Sequence, residues 1–284
     1  MMSISHLTFK DYSFADHTEV YKVLDATFKT HGISYYLIGA NARDVQLYKA
    51  KAKPTRITGD IDFAVLVPDF DTYASLQEAL IAGGFAKTEF PYRLFHTASN
   101  TVIDLMPFGK IQDANKVVFN KNLTLSVLGY KEVHEHSETF ALPETDLSIP
   151  VTPLEGLFIL KWISWQEKPE RQKDLDDLAH LLNNAWDLLE EEAYNEHLDL
   201  FEEEDFKTIN AAARILGRKM KRILANDETL RDNITTLLES TISDKTKLGA
   251  LEITFAAALK LDIETTLVIL ADILRGIKEE IPTG

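Results

Sequence analysis

The sequence predicts an α+β fold: a mixed sheet with flanking helices, followed by an all-helical C-terminal domain. Two observations carry this expectation. Up to about residue 150, short apolar runs rich in branched and aromatic side chains alternate with segments of helical period. After Pro150 only helical periods remain. A hydrophobic content of 45% with 26% charged residues over 284 positions is an ordinary globular composition, ample for two domains, here placed at 1–150 and 151–284.

The elements follow in order. Asp16-His17-Thr18-Glu19 has the spacing of an N-cap carboxylate with a glutamate three residues on. Val20, Val23, Leu24 and Phe28 then recur at helical spacing until His31-Gly32. Ser34 to Ile38 reads as a buried strand ending at Gly39, with a helix over 40–48 and a basic loop, containing Pro54, over 49–56. Ile61 to Val67 is a second strand between Gly59 and Pro68, and Tyr73 to Ile81 an amphipathic helix closed by Gly83-Gly84. Arg93–Phe95 and Val102–Met106 flank Ser99-Asn100 as a hairpin, and a further hairpin is expected between Lys116 and Phe140. The second half predicts helices over 152–166, 171–190, 204–225, 227–240, 245–260 and 262–278.

Composition excludes several classes. With no cysteine there is no disulfide scaffold, thiol nucleophile or thiolate zinc site, and a cytoplasmic location is the expectation. No apolar run approaches the roughly 20 residues of a bilayer span, and no secretion signal is visible. The net charge of −15 divides unevenly. Residues 1–150 hold 14 basic and 18 acidic side chains, net −4, which leaves 16 against 27, net −11, for the remainder. A non-specific nucleic-acid coat does not fit such a balance, so polyphosphate would have to be held by local basic patches and metal ions.

Asp60 and Asp62 lie two apart on a predicted strand and so project to one face, with Ile61 and Phe63 directed into a core. Paired carboxylates repel unless a cation lies between them, and magnesium takes such hard oxygen ligands together with substrate phosphates. Asp104, alone in the apolar run Val102-Ile103-Asp104-Leu105-Met106, is a third carboxylate that is costly to bury unpaired. On a strand beside the first two it would complete a two-metal site for phosphoryl displacement. A turn cap or solvated strand edge is the plain alternative for the pair.

Leu37-Ile38-Gly39-Ala40-Asn41 reads as strand, tight turn and helix start, where backbone N–H groups can approach phosphate oxygens. No Walker-type or Gly-x-Gly-x-x-Gly loop occurs. The order of glycine turn, Asp-x-Asp strand about twenty residues on, and later strand aspartate resembles the polymerase-beta-like nucleotidyltransferase superfamily. More closely it resembles the AbiEii-type toxin nucleotidyltransferases of bacterial toxin–antitoxin and phage-defence systems. The carrying positions are Gly39-Ala40, Arg43, Thr58-Gly59-Asp60-Ile61-Asp62-Phe63 and Lys173-Asp174-Leu175-Asp176-Asp177-Leu178, within residues 36–63, 102–109 and 152–182. Ala40 departs from the usual Gly or Ser and removes a hydroxyl contact to phosphate.

The resemblance implies a nucleotidyltransferase-like mixed sheet and a helical domain that adds to nucleotide and acceptor binding, with the site between them. Asp60, Asp62 and Asp104 would hold two magnesium ions, manganese being the alternative, with Asp104 also the general base. Gly39, Ala40, Arg43, Thr58, Lys161, Lys173 and Asp174 would serve the nucleoside triphosphate. The implied acceptor is a tRNA end or a protein hydroxyl, and the implied partner an antitoxin, with no membrane involved. A small-molecule, antibiotic-type nucleotidyltransferase and a catalytically silent binding module are the two other readings.

Further basic residues have plain alternatives. Lys161 interrupts an apolar helix, where snorkelling or pairing with an acid is ordinary. Lys173 and Asp177, at i and i+4, suit a surface ion pair. Lys49, Lys51, Lys53 and Arg56 offer a landing place for phosphates, or a solvated loop. Arg214, Arg218, Lys221 and Arg222 form a helical stripe expected to face solvent, or to grip RNA. His134 and His136 would share a face if 131–136 were a strand, and the acidic runs at 190–192 and 202–205 read as solvated helix ends.

Overall fold

The computed structural model describes residues 7–243 and 248–280. It divides into two compact units, Met1–Tyr48 with Arg56–Pro153, and Lys49–Thr55 with Leu154–Gly284.

The first unit opens with two short 3-10 turns, Phe9–Asp11 and Ser13–His17, and helix α1, Thr18–Thr30. The capping expected of Asp16 is not what starts this helix: Asp16 lies inside the second 3-10 turn and His17 occupies the cap without a side-chain bond. The chain then forms β1 (Ser34–Ile38), α2 (Gly39–Lys49), β2 (Asp60–Leu66), α3 (Phe70–Ala82), β3 (Phe85–Lys87), β4 (Arg93–His96) and β5 (Thr101–Phe108). α3 starts earlier than its apolar period, because the Asp69 carboxylate accepts from the Thr72 N–H. A separate hairpin pairs β6 (Lys116–Asn120) with β7 (Leu123–Ser126). α4 (Tyr130–Glu135), β8 (Glu138–Ala141) and β9 (Ser148–Val151) complete the unit.

The further hairpin therefore ends at Ser126, and 131–136 is not a strand. Gly129, with φ +84°, turns the chain into α4, where Val133 alone is buried among polar neighbours. His134 and His136 consequently do not share a strand face. His134 meets the Ser34 hydroxyl at 2.7 Å, and His136 Nδ1 meets the Glu132 carbonyl at 2.9 Å.

Seven strands form one mixed sheet in the order β3-β4-β5-β2-β1-β9-β8. β2 runs parallel to β5 and antiparallel to β1, while β4 is antiparallel to β5. Alternation along β2 sends Ile61 and Phe63 to one face, where Phe63 packs against Tyr21, Phe28 and Tyr35. On that face the Tyr73 hydroxyl of α3 donates to the Leu105 carbonyl at 2.8 Å. The opposite face is covered at one end by α4, with Tyr36 packed on Phe108 and His134.

The second unit is helical: α5 (Leu154–Glu167), α6 (Gln172–Asn183), α7 (Ala185–Glu196), α8 (Thr208–Leu224), α9 (Glu228–Ser243), α10 (Ala250–Leu259) and α11 (Ile263–Lys278). The expected helix over 171–190 is two, broken at Asn184, whose side chain turns back onto the His180 carbonyl. The expected start of α10 at 245 lies outside the described residues. α8 and α11 cross where Gly217 and Gly276 meet: a Cβ on either would run into backbone of the other helix. Among the described residues no helix is long and apolar enough to cross a membrane.

The arginine stripe on α8 is a correction. Arg214 and Arg218 are buried, 4% and 1% exposed, and are neither solvent-facing nor open to RNA. Arg214 Nε donates to Glu279 at 2.7 Å, and Arg218 donates to Glu279 at 2.6 Å and to Asp199 at 2.9 Å. Acids distant in sequence capture this stripe, which local periodicity does not reveal. Lys49–Thr55, grouped with the helices, is tied there by the Lys53 carbonyl, 2.9 Å from a ring nitrogen of His180.

Candidate active site

Gly39 joins β1 directly to α2 with φ +68°. A Cβ here would lie 2.9 Å from Asp62 Cγ and closer still to its Oδ2, so the glycine serves both the turn and the approach of Asp62. Behind it, Asn41 is fully buried: its amide donates to the Asp60 carbonyl at 2.7 Å and accepts from the Tyr21 hydroxyl at 3.1 Å. Thr58 donates its N–H to the Ser13 hydroxyl at 3.0 Å and fixes the entry to β2.

Asp60 is exposed and Asp62 half-buried, on one face of β2. The parallel register sets Asp62 opposite Asp104, so all three aspartates share that face of the sheet. From the other side, the β4–β5 register sets Arg93 opposite Asp104. Arg93 Nε and Nη2 each donate to one Asp104 oxygen at 2.7 Å. This bidentate contact with Asp104 holds the guanidinium well above its ordinary pKa, and burial together with the Asp104 charge raises the Tyr92 hydroxyl.

Arg43 has no exposed surface, and its Nε donates to Asp44 at 2.8 Å while Nη2 reaches the Arg56 carbonyl at 3.0 Å. Ala40, half-buried, stands in the first turn of α2. Beside the strand start lies His17, 6% exposed, with its imidazole lowered by burial against the opposing pull of Asp60.

The helical unit holds the remaining expected residues. Lys161 of α5, 7% exposed, donates to Asp174 at 2.9 Å and to Asp177 at 2.8 Å, both on α6. Burial would raise the Asp174 carboxyl, but Lys161 and Arg171 outweigh it and hold it below its usual range. Lys173 is exposed. Asp177 thus belongs to a buried cluster with Lys161, and the surface pair expected between Lys173 and Asp177 is replaced by it.

The sequence over residues 22–260 matches the family described as "Nucleotidyl transferase AbiEii toxin, Type IV TA system". The chain belongs to that family. It is thus a nucleotidyltransferase of the AbiEii toxin type, and the resemblance drawn from short motifs extends over most of the chain. A solution structure of the antibiotic-resistance factor ANT(2'')-Ia is similar at 12% identity, covering 80% of this chain and 97% of that one, with a TM-score of 0.39. Among curated proteins nothing matches the sequence.

A second acidic group in this AbiEii-family chain has ligand-like spacing: Glu192, Glu196 and His197, within 4.8 Å of one another. Its atoms are already engaged. Lys219 donates to Glu192 at 2.8 Å, Arg218 meets His197 Nδ1 at 2.9 Å, and Arg222 stands 3.8 Å from Glu196. Burial would raise the Glu192 carboxyl, yet His197 and Lys219 bring it down to about 2. A further cation would meet three cationic side chains there, so the group reads as an ion network of the helical unit, buried at His197 and exposed at Glu196.

Arg93 and Asn41 are two residues beside the three aspartates that sequence reading missed. Arg93 was legible only as a hairpin end. Its signal was the hairpin register, which needs the length of the loop. Asn41 sat inside the recognised turn, and its single amide bridging α1 and β2 has no sequence signature.

Proposed function

We propose that the chain transfers a nucleoside monophosphate from a nucleoside triphosphate to an acceptor hydroxyl, in a divalent-metal-dependent reaction. The observation that carries this is the gathering of Asp60, Asp62 and Asp104 on one sheet face beside the Gly39 turn. Asp60 and Asp62 suit magnesium: both offer hard oxygen donors, one exposed and one half-buried, at the end of the sheet where α2 begins. Magnesium, when bound, would neutralise the triphosphate and polarise the phosphorus under attack.

The chain's own residues do the rest. The first N–H groups of α2, behind Gly39, lie at a helix N-terminus and favour phosphate oxygens. Asn41 fixes the Asp60 backbone against α2, and Gly39 keeps Asp62 in place. In the helical unit, Lys161 is buried and held by Asp174 and Asp177, where it ties α5 to α6, while Lys173 is exposed. Arg43, buried on Asp44, serves by fixing α2 and the Arg56 carbonyl. As acceptor we propose an RNA end, on the support of the exposed Lys51 and Lys53 in an otherwise acidic chain. The family points to an antitoxin as the protein partner.

The test is a thermal-shift titration with magnesium and each nucleoside triphosphate. Stabilisation that needs both, and that disappears in Asp62→Ala, supports the reading. Equal stabilisation of the variant, or none of the folded wild type, removes it.

A further inference from the structure

Asp104 is the carboxylate expected to take a second ion, and its surroundings argue for a different partner. Three independent features place Arg93 there. The β4–β5 register sets the two residues opposite each other. The guanidinium engages both carboxylate oxygens at 2.7 Å. The Phe90 ring lies 5.6 Å from the guanidinium carbon and supports it.

Charge points the same way. Three carboxylates and one guanidinium sum to −2, which a single divalent ion neutralises. A second ion on Asp104 would place two positive groups on one carboxylate beside the first ion, and would have to displace a charge-assisted bidentate contact.

We infer that Arg93 stands in for a second divalent ion, so that the resting site takes one ion, on Asp60 and Asp62, with Asp104 held as the fixed partner of Arg93. Arg93 is then a positioning residue, and the inference rests on the metal-dependent reading above. On arrival of the triphosphate, the exposed edge of Arg93, whose side chain is 31% accessible, is the part open to a phosphate oxygen.

The test is manganese binding to the full chain without nucleotide, followed by calorimetry and by the electron paramagnetic resonance of free ion. Wild type is expected to take one ion, Arg93→Met two, and Arg93→Met/Asp104→Asn one again. Circular dichroism checks the fold of each. Should Arg93→Met not fold, Arg93→Lys frees one Asp104 oxygen and is expected to show the second ion. Two ions on wild type, or one on a folded Arg93→Met or Arg93→Lys protein, overturn the inference and leave the metal-dependent reading standing. No ion on any of these proteins overturns the inference alone, and the thermal shift with magnesium and nucleoside triphosphate together then decides the metal-dependent reading.

Discussion

Asp62 and Asp104 face each other across the parallel strands β2 and β5, and Arg93 closes Asp104 from β4. One register level of the sheet thus runs Ile38, Asp62, Asp104, Arg93. Neighbouring strands lie about 4.8 Å apart, so this level brings two carboxylates and their counter-charge together through backbone pairing alone. The candidate site is therefore built by strand register, with side-chain packing refining it.

Gly39 is the tightest constraint on that level. Gly39→Ala puts a Cβ against the Asp62 carboxylate and forces alanine to φ +68°. We expect a loss of about 2–4 kcal/mol in urea unfolding, and at least tenfold slower transfer. Wild-type stability and activity in this variant would contradict the packing of Asp62 on Gly39.

The Lys161 cluster should be strongly coupled to stability. Lys161→Met leaves Asp174 and Asp177 buried without their shared cation. The expected cost is about 3–5 kcal/mol, partly recovered in Lys161→Met/Asp177→Asn. Denaturant midpoints of the single and double variants measure it, and additive losses would refute the coupling.

Glu192 gives a pH signature. Its folded carboxyl lies at about 2 against 4.5 for the free group, a depressed value. The stability it contributes is complete above about pH 4.5 and is lost as pH falls towards 2. Glu192→Gln should therefore flatten the acid limb of a urea-midpoint titration in that window. An unchanged limb would place Glu192 outside the network.

The two sets of basic residues should separate cleanly. Arg218→Met removes a buried guanidinium from Glu279 and Asp199, with an expected loss of about 3–5 kcal/mol. Lys51→Ala/Lys53→Ala touches only exposed side chains and should leave stability within about 0.5 kcal/mol. The lysine variant should weaken use of an RNA acceptor several-fold, with a shallower salt dependence. Activity on RNA measured against salt decides between these outcomes.

Much of the seven-stranded sheet was legible because its strands are short apolar runs bounded by glycine and proline. Asp104 stood out as a charge inside an apolar run, and Asp60 and Asp62 as a pair of carboxylates on one strand face. Arg93 was not legible. A two-residue turn at Ser99-Asn100 would have set it opposite Met106, whereas the actual pairing of His96 with Thr101 shifts it to Asp104. Ser99 makes that longer loop by contacting His96 and Thr101 at 2.7 Å each.

The helical half was readable in its periods and misleading in its charges. Arg214 and Arg218 stripe a helix and are each matched by an acid from a distant segment, while Lys161 takes the ordinary outcome expected of it and pairs with acids on the next helix. Helical spacing reports which residues share a face. It does not report what that face meets, and for Arg218 of α8 the answer lies 61 residues on, at Glu279.

The most direct test of the account is transfer itself. The full chain is incubated with magnesium, each alpha-labelled nucleoside triphosphate, and total bacterial RNA and protein, beside Asp60→Ala/Asp62→Ala shown to be folded. The account predicts label in an RNA band with the intact chain and none with the variant. Label in both, or in neither for any nucleotide, would contradict it, and label confined to a protein band would retain the chemistry while rejecting RNA as acceptor.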